Sequence, residues 1–165
     1  MVGKAFGGAG IVPAPRLDRP QPVDTASSSP VSFSPNNMTS PVWTATSTAK
    51  GAAVTYKYTF TPSQGYNMSS LTMTVPAGTA GTPVLVSETG LAAGTLSLSG
   101  TLLTYSYGAT STTWLNSGTA VQIQVTGLTN TSSAGTYTAE LTTNGGNSAP
   151  FLPVDTGVTA ALSFS

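Results

Sequence analysis

The sequence predicts an all-β protein, an antiparallel two-sheet β-sandwich. Three observations predict it. Apolar and hydroxylated residues alternate with a period of two in at least seven segments. Turn-forming clusters of Gly, Ser, Asn and Pro punctuate those segments roughly every 8–15 residues. No stretch holds a helical period beyond one or two turns; Leu91-Ala92-Ala93 is the one candidate, and Gly94 ends it. Strands of uneven length joined by unequal loops favour a sandwich over a closed barrel.

Taken in order, residues 1–40 read as an extended N-terminal arm and residues 41–165 as the sandwich. Seven of the 12 prolines fall within the first 41 residues, and Gly3, Gly7, Gly8 and Gly10 cluster at the start. Proline fixes φ and lacks a donor, so the segment suits an extended, polyproline-like path rather than a helix. By composition alone it is a disordered tail. Ordering about 30 such residues costs on the order of 30–60 kcal/mol of backbone entropy. An ordered arm would therefore have to lie on another protein chain. Phe6, Ile11, Val12 and Leu17 are its apolar anchor candidates, with Arg16 and Arg19 beside them.

In the body, Val54, Tyr56, Tyr58 and Phe60 are expected to face a core, with Thr55, Lys57 and Thr59 facing solvent. A slip of one residue would bury Lys57 without a partner. Leu71, Met73 and Val75 repeat the pattern. A short strand follows Pro83 at Val84–Ser87. Leu96 and Leu98 form the next inward set, followed by Leu103, Tyr105 and Tyr107. Val121, Ile123 and Val125 alternate with Gln122, Gln124 and Thr126. Tyr137, Ala139 and Leu141 do the same, and Val158, Ala160, Leu162 and Phe164 read as one last strand. Turns are expected at Ser63-Gln64-Gly65, Pro76-Ala77-Gly78, Thr89-Gly90, Asn116-Ser117-Gly118, Ser133-Ala134-Gly135 and Asn144-Gly145-Gly146.

Composition removes whole classes of function. With no Cys there are no disulfides and no thiolate metal sites; with no His, the commonest general base and zinc ligand are missing. Lys plus Arg and Asp plus Glu stand at five each, and no Lys or Arg follows Lys57. A nucleic-acid partner would need a basic patch, so none is expected. No apolar run reaches the length of a membrane span, and no secretory signal is visible behind Met1. The chain is thus expected to be made and used in the cytoplasm, or to be a mature fragment. Ser and Thr together make up 50 of the 165 residues, which suits solvated strand faces.

The segment 119–143, TAVQIQVTGLTNTSSAGTYTAELTT, carries a turn built from Gly127, Leu128, Asn130, Ser132, Ala134, Gly135, Thr136 and Tyr137. It resembles the closing strands of immunoglobulin-like β-sandwich repeats of bacterial and archaeal surface proteins. Thr131 stands where those repeats often have Pro. Residues 56–76, YKYTFTPSQGYNMSSLTMTVP, resemble the opening of the same repeats. Similar sandwiches decorate the virions of tailed bacteriophages. The resemblance implies an Ig-like fold and a non-enzymatic surface role. A single sandwich with a Pro/Gly-rich arm looks like a capsid decoration or head-accessory protein, assembled in the host cytoplasm. Its partners would be capsid or tail subunits, or copies of itself. The alternatives are a domain of an extracellular cell-surface protein, such as an adhesin or filament subunit, and a carbohydrate-binding module that touches a host-surface glycan.

No catalytic, metal or cofactor site is expected. Glu140 reads as a solvated strand residue, and Glu88 and Asp155 read as turn residues. A serine nucleophile would lack its histidine base. The aromatics Trp43, Tyr66, Tyr105, Tyr107 and Trp114 are the contact candidates. Trp114 has two readings: a plug at one end of the core, or a surface contact. Tyr137 is expected at a sheet corner. The sequons at Asn37, Asn67 and Asn130 are no more than chance gives at this Ser and Thr content.

Overall fold

The computed structural model of the chain describes Gly3 and residues 34–165. Among these residues every regular element is a strand, and none is a helix. The strands are β1 (Asn36–Asn37), β2 (Thr39–Ala45), β3 (Ala53–Thr61), β4 (Tyr66–Thr74), β5 (Ala80–Thr89), β6 (Thr95–Ser99) and β7 (Leu102–Ser106). They continue with β8 (Thr113–Leu115), β9 (Val121–Thr129), β10 (Gly135–Tyr137), β11 (Glu140–Gly145), β12 (Leu152–Val158) and β13 (Leu162–Phe164). Among the described residues the first strand begins at Asn36.

Two sheets hold most of them. The larger runs β1-β12-β11-β4-β7-β6, with β8 also paired to β4; the smaller runs β2-β3-β9-β5. Neighbours are antiparallel except β1 and β12. A separate ribbon joins β10 to β13. Inward residues of both sheets form one core, so the arrangement is sandwich-like. The chain changes sheets between β1 and β2. Ser40 turns this corner at a φ of 51°, beside a register shift in β2. Met38 and Pro41 then press on Gly157 of β12, where a Cβ would stand 2.5 Å from Met38 Cγ. Only glycine leaves room for that crossing.

The period of two sorts the side chains as expected in β3 and β9. Val54, Tyr56, Tyr58 and Phe60 are buried and face Val121, Ile123, Val125 and Leu128 along the ladder. Leu71 and Met73 of β4 meet Leu103 and Tyr105 of β7. Each such side chain contributes roughly 1.5–3 kcal/mol of burial free energy. Trp43 enters this interior from β2, stacked nearly parallel on Tyr58 at 6.2 Å and edge-on to Tyr56 at 5.3 Å. Phe164 closes the cluster 5.8 Å from Trp43.

Three expectations are corrected. The last strand is two: β12 ends at Val158, which is 60 % exposed, and β13 restarts at Leu162. Ala160 points outward while Thr159 is buried, because the Thr159 N–H and hydroxyl cross-link to Ala139 and reverse the register there. Asn144 and Gly145 are strand residues, and the chain reverses after them. Glu88 lies inside β5, paired with Ile123, rather than in a turn. Leu91-Ala92-Ala93 is an irregular loop.

Two buried tyrosines differ in one respect. The Tyr56 hydroxyl donates to Asn130 Oδ1 at 2.7 Å, whereas the Tyr58 hydroxyl has no protein partner. Removing a satisfied buried hydroxyl strands its partner; removing an unsatisfied one relieves a desolvation cost. Tyr56→Phe is expected to lower unfolding free energy by about 1–3 kcal/mol. Tyr58→Phe is expected to leave it unchanged or raise it. Denaturant midpoints of the two variants check the difference.

Candidate functional surface

The outward face of the large sheet is the most regular surface among the described residues. Its ladder places one hydroxyl or amide opposite another across six strands. Ser97 pairs with Thr104, Thr104 with Thr72, Thr72 with Thr142, Thr142 with Thr156, and Thr156 with Asn37. At about 4.8 Å between strands, this row is roughly 24 Å long. Thr95, Ser106, Ser70 and Asn144 form a second row beside it. Internal bonds fix several of these groups: Thr72 Oγ1 donates to the Thr142 carbonyl at 3.2 Å, and Thr156 Oγ1 to the Leu141 carbonyl at 3.3 Å. Ser70 Oγ accepts from Asn144 Nδ2 at 3.3 Å, and the Thr142 and Thr156 hydroxyls lie 3.4 Å apart. Glu140 is the only ionisable side chain on these rows and their margin.

Trp114 stands at one end of this face, on β8, opposite Asn67 of β4. It is 57 % exposed, which excludes the reading as a core plug and fits the reading as a surface contact. The missing plug is Leu115, the next residue, which is buried. The indole is held in place from two sides. Its Nε1 donates to Asn116 Oδ1 at 3.0 Å. Its benzo edge lies on the backbone of Gly65, where a Cβ would meet Cζ2 at 2.8 Å. Beyond Asn67, Asn147 Oδ1 accepts from Asn67 Nδ2 at 3.1 Å.

The other aromatic contact candidates are not on this surface. Trp43, Tyr66 and Tyr105 are buried. The Tyr105 hydroxyl donates to the Ala92 carbonyl, and the Tyr107 oxygen accepts from Ala92 N–H at 3.2 Å, so this pair clamps the loop after β5. Tyr137 meets Phe164 edge-on at 5.7 Å, and its hydroxyl donates to the Ser133 carbonyl at 3.4 Å, four residues back. Phe6, Ile11, Val12, Arg16, Leu17 and Arg19 lie outside the described residues.

Sequence reasoning missed two buried polar centres. Asp155, read as a turn residue, is fully buried in β12. Its carboxylate accepts from the Ser63 N–H at 3.0 Å and from the Ser63 hydroxyl, which ties down the loop that supports Trp114. Thr143 joins it to Tyr66: the Tyr66 hydroxyl donates to Thr143 Oγ1, which accepts from Asp155 N–H at 3.2 Å. Asn130 is 2 % exposed, and its Nδ2 donates to the carbonyls of Ser47 at 2.9 Å and Ala49 at 3.0 Å. A buried, fully engaged amide is not a glycosylation site. The signal for Asn130 was its place in the Gly127–Tyr137 turn; nothing local marks Asp155.

No cluster of three His, Cys, Asp or Glu side chains exists among the described residues. A shallow pocket of about 250 Å³ lies where the chain enters the domain, lined by Ser34, Asn36, Gln64, Leu152, Pro153 and Val154. It holds no titratable group.

No protein-family model matches the chain, and no curated protein matches it in sequence. Among solved structures it is similar to the crystal structure of BslA, a bacterial hydrophobin, with a TM-score of 0.49 and 18 % identity. The similarity covers 81 % of this chain and 97 % of that one.

Burial raises the phenols of Tyr56, Tyr58, Tyr66 and Tyr107 above their ordinary value of 10.0. It pushes Tyr105 to about 12, helped by the nearby Tyr107 and Glu88. A raised phenol stays protonated in the folded chain while the unfolded chain ionises, so the unfolded state binds fewer protons above pH 10. The stability held by the neutral phenols is complete below that pH and is lost as pH rises toward 12. Denaturant midpoints are expected to be flat from about pH 6 to 9 and to fall steeply above about pH 10. Phenolate absorbance should appear together with unfolding rather than ahead of it.

Proposed function

We propose that the chain is a non-enzymatic structural protein: an Ig-like β-sandwich that displays a neutral surface and docks through its N-terminal arm. The reading as a phage capsid decoration or head-accessory protein gathers the most support. One observation carries it. Seven of the 12 prolines and the cluster Gly3, Gly7, Gly8 and Gly10 fall in the first 41 residues, a composition that suits an extended path and is poor in core-forming side chains. The first 35 residues, Pro- and Gly-rich and only slightly basic, are then best explained by a partner outside the domain. Capsid or tail subunits, or neighbouring copies of the chain, are partners such an arm can lie across.

The Ig-like assignment draws on the turn at Gly127–Tyr137, where Asn130 anchors the loop after β2 and Tyr137 bonds back to Ser133. A tyrosine bonded to backbone a few residues upstream is a corner device of that fold. Of the alternatives, a domain of a bacterial or archaeal cell-surface protein and a carbohydrate-binding module, the second is favoured by one feature, the exposed Trp114.

The test of docking is deletion of residues 1–30. The truncated protein is expected to remain folded, with nearly unchanged thermal unfolding. Mixed with particles that lack the protein, full-length chain should co-sediment and truncated chain should stay in the supernatant. Equal co-sedimentation would place the docking surface on the sandwich and end the arm hypothesis.

A further inference from the structure

We propose that Trp114 and the outward face of the large sheet form a binding site for an uncharged polysaccharide. The inference concerns the sandwich alone and stands whether or not the N-terminal segment docks on a particle.

An exposed indole carries a cost. Trp114 leaves more than half its surface in water, while the chain's other tryptophan, Trp43, is 2 % exposed. A tryptophan that served only the fold would gain by turning inward. Instead its Nε1 is engaged with Asn116 at 3.0 Å and its edge rests on Gly65. The loop that carries Gly65 is anchored in turn by the buried Asp155 through Ser63. An aromatic ring fixed in this way loses little conformational entropy when a ligand stacks on it.

The surroundings define the ligand. A protein interface needs an apolar centre around its aromatic anchor. The neighbours of Trp114 on this face are Asn67 and Asn147, with Ser70 and Asn144 beyond them; the exposed apolar side chains Leu102 and Val158 lie on the far row with Glu140, so no apolar centre surrounds the indole. A sugar ring meets the opposite requirement. Its C–H face stacks on an indole, and its equatorial hydroxyls exchange hydrogen bonds with amides and hydroxyls. Among the described residues the face bears one carboxylate, Glu140, and no cation, so acidic polysaccharides gain no charge pairing there and are repelled at that margin. A flat row about 24 Å long can hold several sugar units of an extended chain, so the site suits a polymer rather than a monosaccharide. Many weak contacts along one chain combine into useful affinity.

The test is native affinity electrophoresis of the full chain in gels containing hydroxyethyl cellulose, mannan or pullulan, with sodium alginate as the acidic control. At least one neutral polymer should retard the protein, and alginate should not. Trp114→Ala should weaken retardation at least tenfold with unchanged thermal unfolding, and Trp114→Tyr should restore part of it. Gly65→Ala, which pushes the indole from its seat, should weaken binding without removing the ring. Retardation by none of the three neutral polymers overturns the proposal. So does equal retardation of Trp114→Ala, or retardation by alginate as strong as by any neutral polymer. Sedimentation velocity without polysaccharide supplies the remaining outcome: self-association that Trp114→Ala abolishes would assign the face to a second copy of the chain.

Discussion

Strand register decides which side chains of this chain meet water and which meet one another, because a slip of one residue exchanges the two faces of a strand. The chain has no disulfide, no metal ligand cluster among the described residues and almost no surface charge. Its stability must come from apolar burial between two sheets, and hydroxyl side chains line much of the outward faces. Both depend on the same alternation. In β3 the inward row is Val54, Tyr56, Tyr58 and Phe60, and the outward row is Thr55, Lys57, Thr59 and Thr61. A slip by one residue would exchange the rows, exposing three aromatic rings and burying a lysine. The bulges in β2, β3, β5, β4–β11 and β11–β12 are placed within this frame and bend the sheets without inverting their faces.

Apolar burial alone would leave the loops undetermined. Asn130 and Asp155 fix them. Asn130 spends its amide on Tyr56 and on the carbonyls of Ser47 and Ala49, so it sets the path from β2 to β3. Asp155 reaches from β12 to the backbone and hydroxyl of Ser63, so it sets the path from β3 to β4. Buried polar groups of this kind cost a great deal unless satisfied, and when satisfied they specify one arrangement. The second of these loops carries Gly65, and through it the seat of Trp114. A buried carboxylate on one side of the sheet thereby helps to position an exposed ring on the other.

The sequence was most legible where one physical rule acted alone. Strands β3 and β7 alternate cleanly, as do β4 from Ser70 onward and β9 up to Val125, and their inward residues are buried as the pattern requires. It was least legible where tertiary contacts overrode the local pattern. Val158 and Phe164 have the same apparent phase, but Thr159 is drawn inward by Ala139 and breaks the strand between them. Asp155 precedes Thr156-Gly157, ordinary turn chemistry in sequence. Yet Gly157 is there to admit Met38, and the aspartate is there to receive Ser63. The two tryptophans could not be sorted by neighbours alone: Trp43 lies inward on β2, and Trp114 lies outward beside the inward Leu115. Cross-strand rows are invisible in one dimension, because Ser97, Thr104, Thr72, Thr142 and Thr156 meet only through pairing.

That pairing is the central claim, since the hydroxyl face, the core beneath it and the placement of Trp114 all follow from it. The absence of native cysteine permits a direct measurement. Single cysteines introduced at Ser97, Thr104, Thr72, Thr142 and Thr156 can be compared with cysteines at Leu98, Leu103, Met73 and Leu141, the neighbouring row on the other side of the same strands. Rates of thiol labelling in the folded protein are expected to be fast throughout the first set. In the second set, labelling at Leu103, Met73 and Leu141 should be slow until denaturant unfolds the chain. Comparable rates in the two sets, a slow position in the first row, or a fast one among Leu103, Met73 and Leu141 would contradict this register.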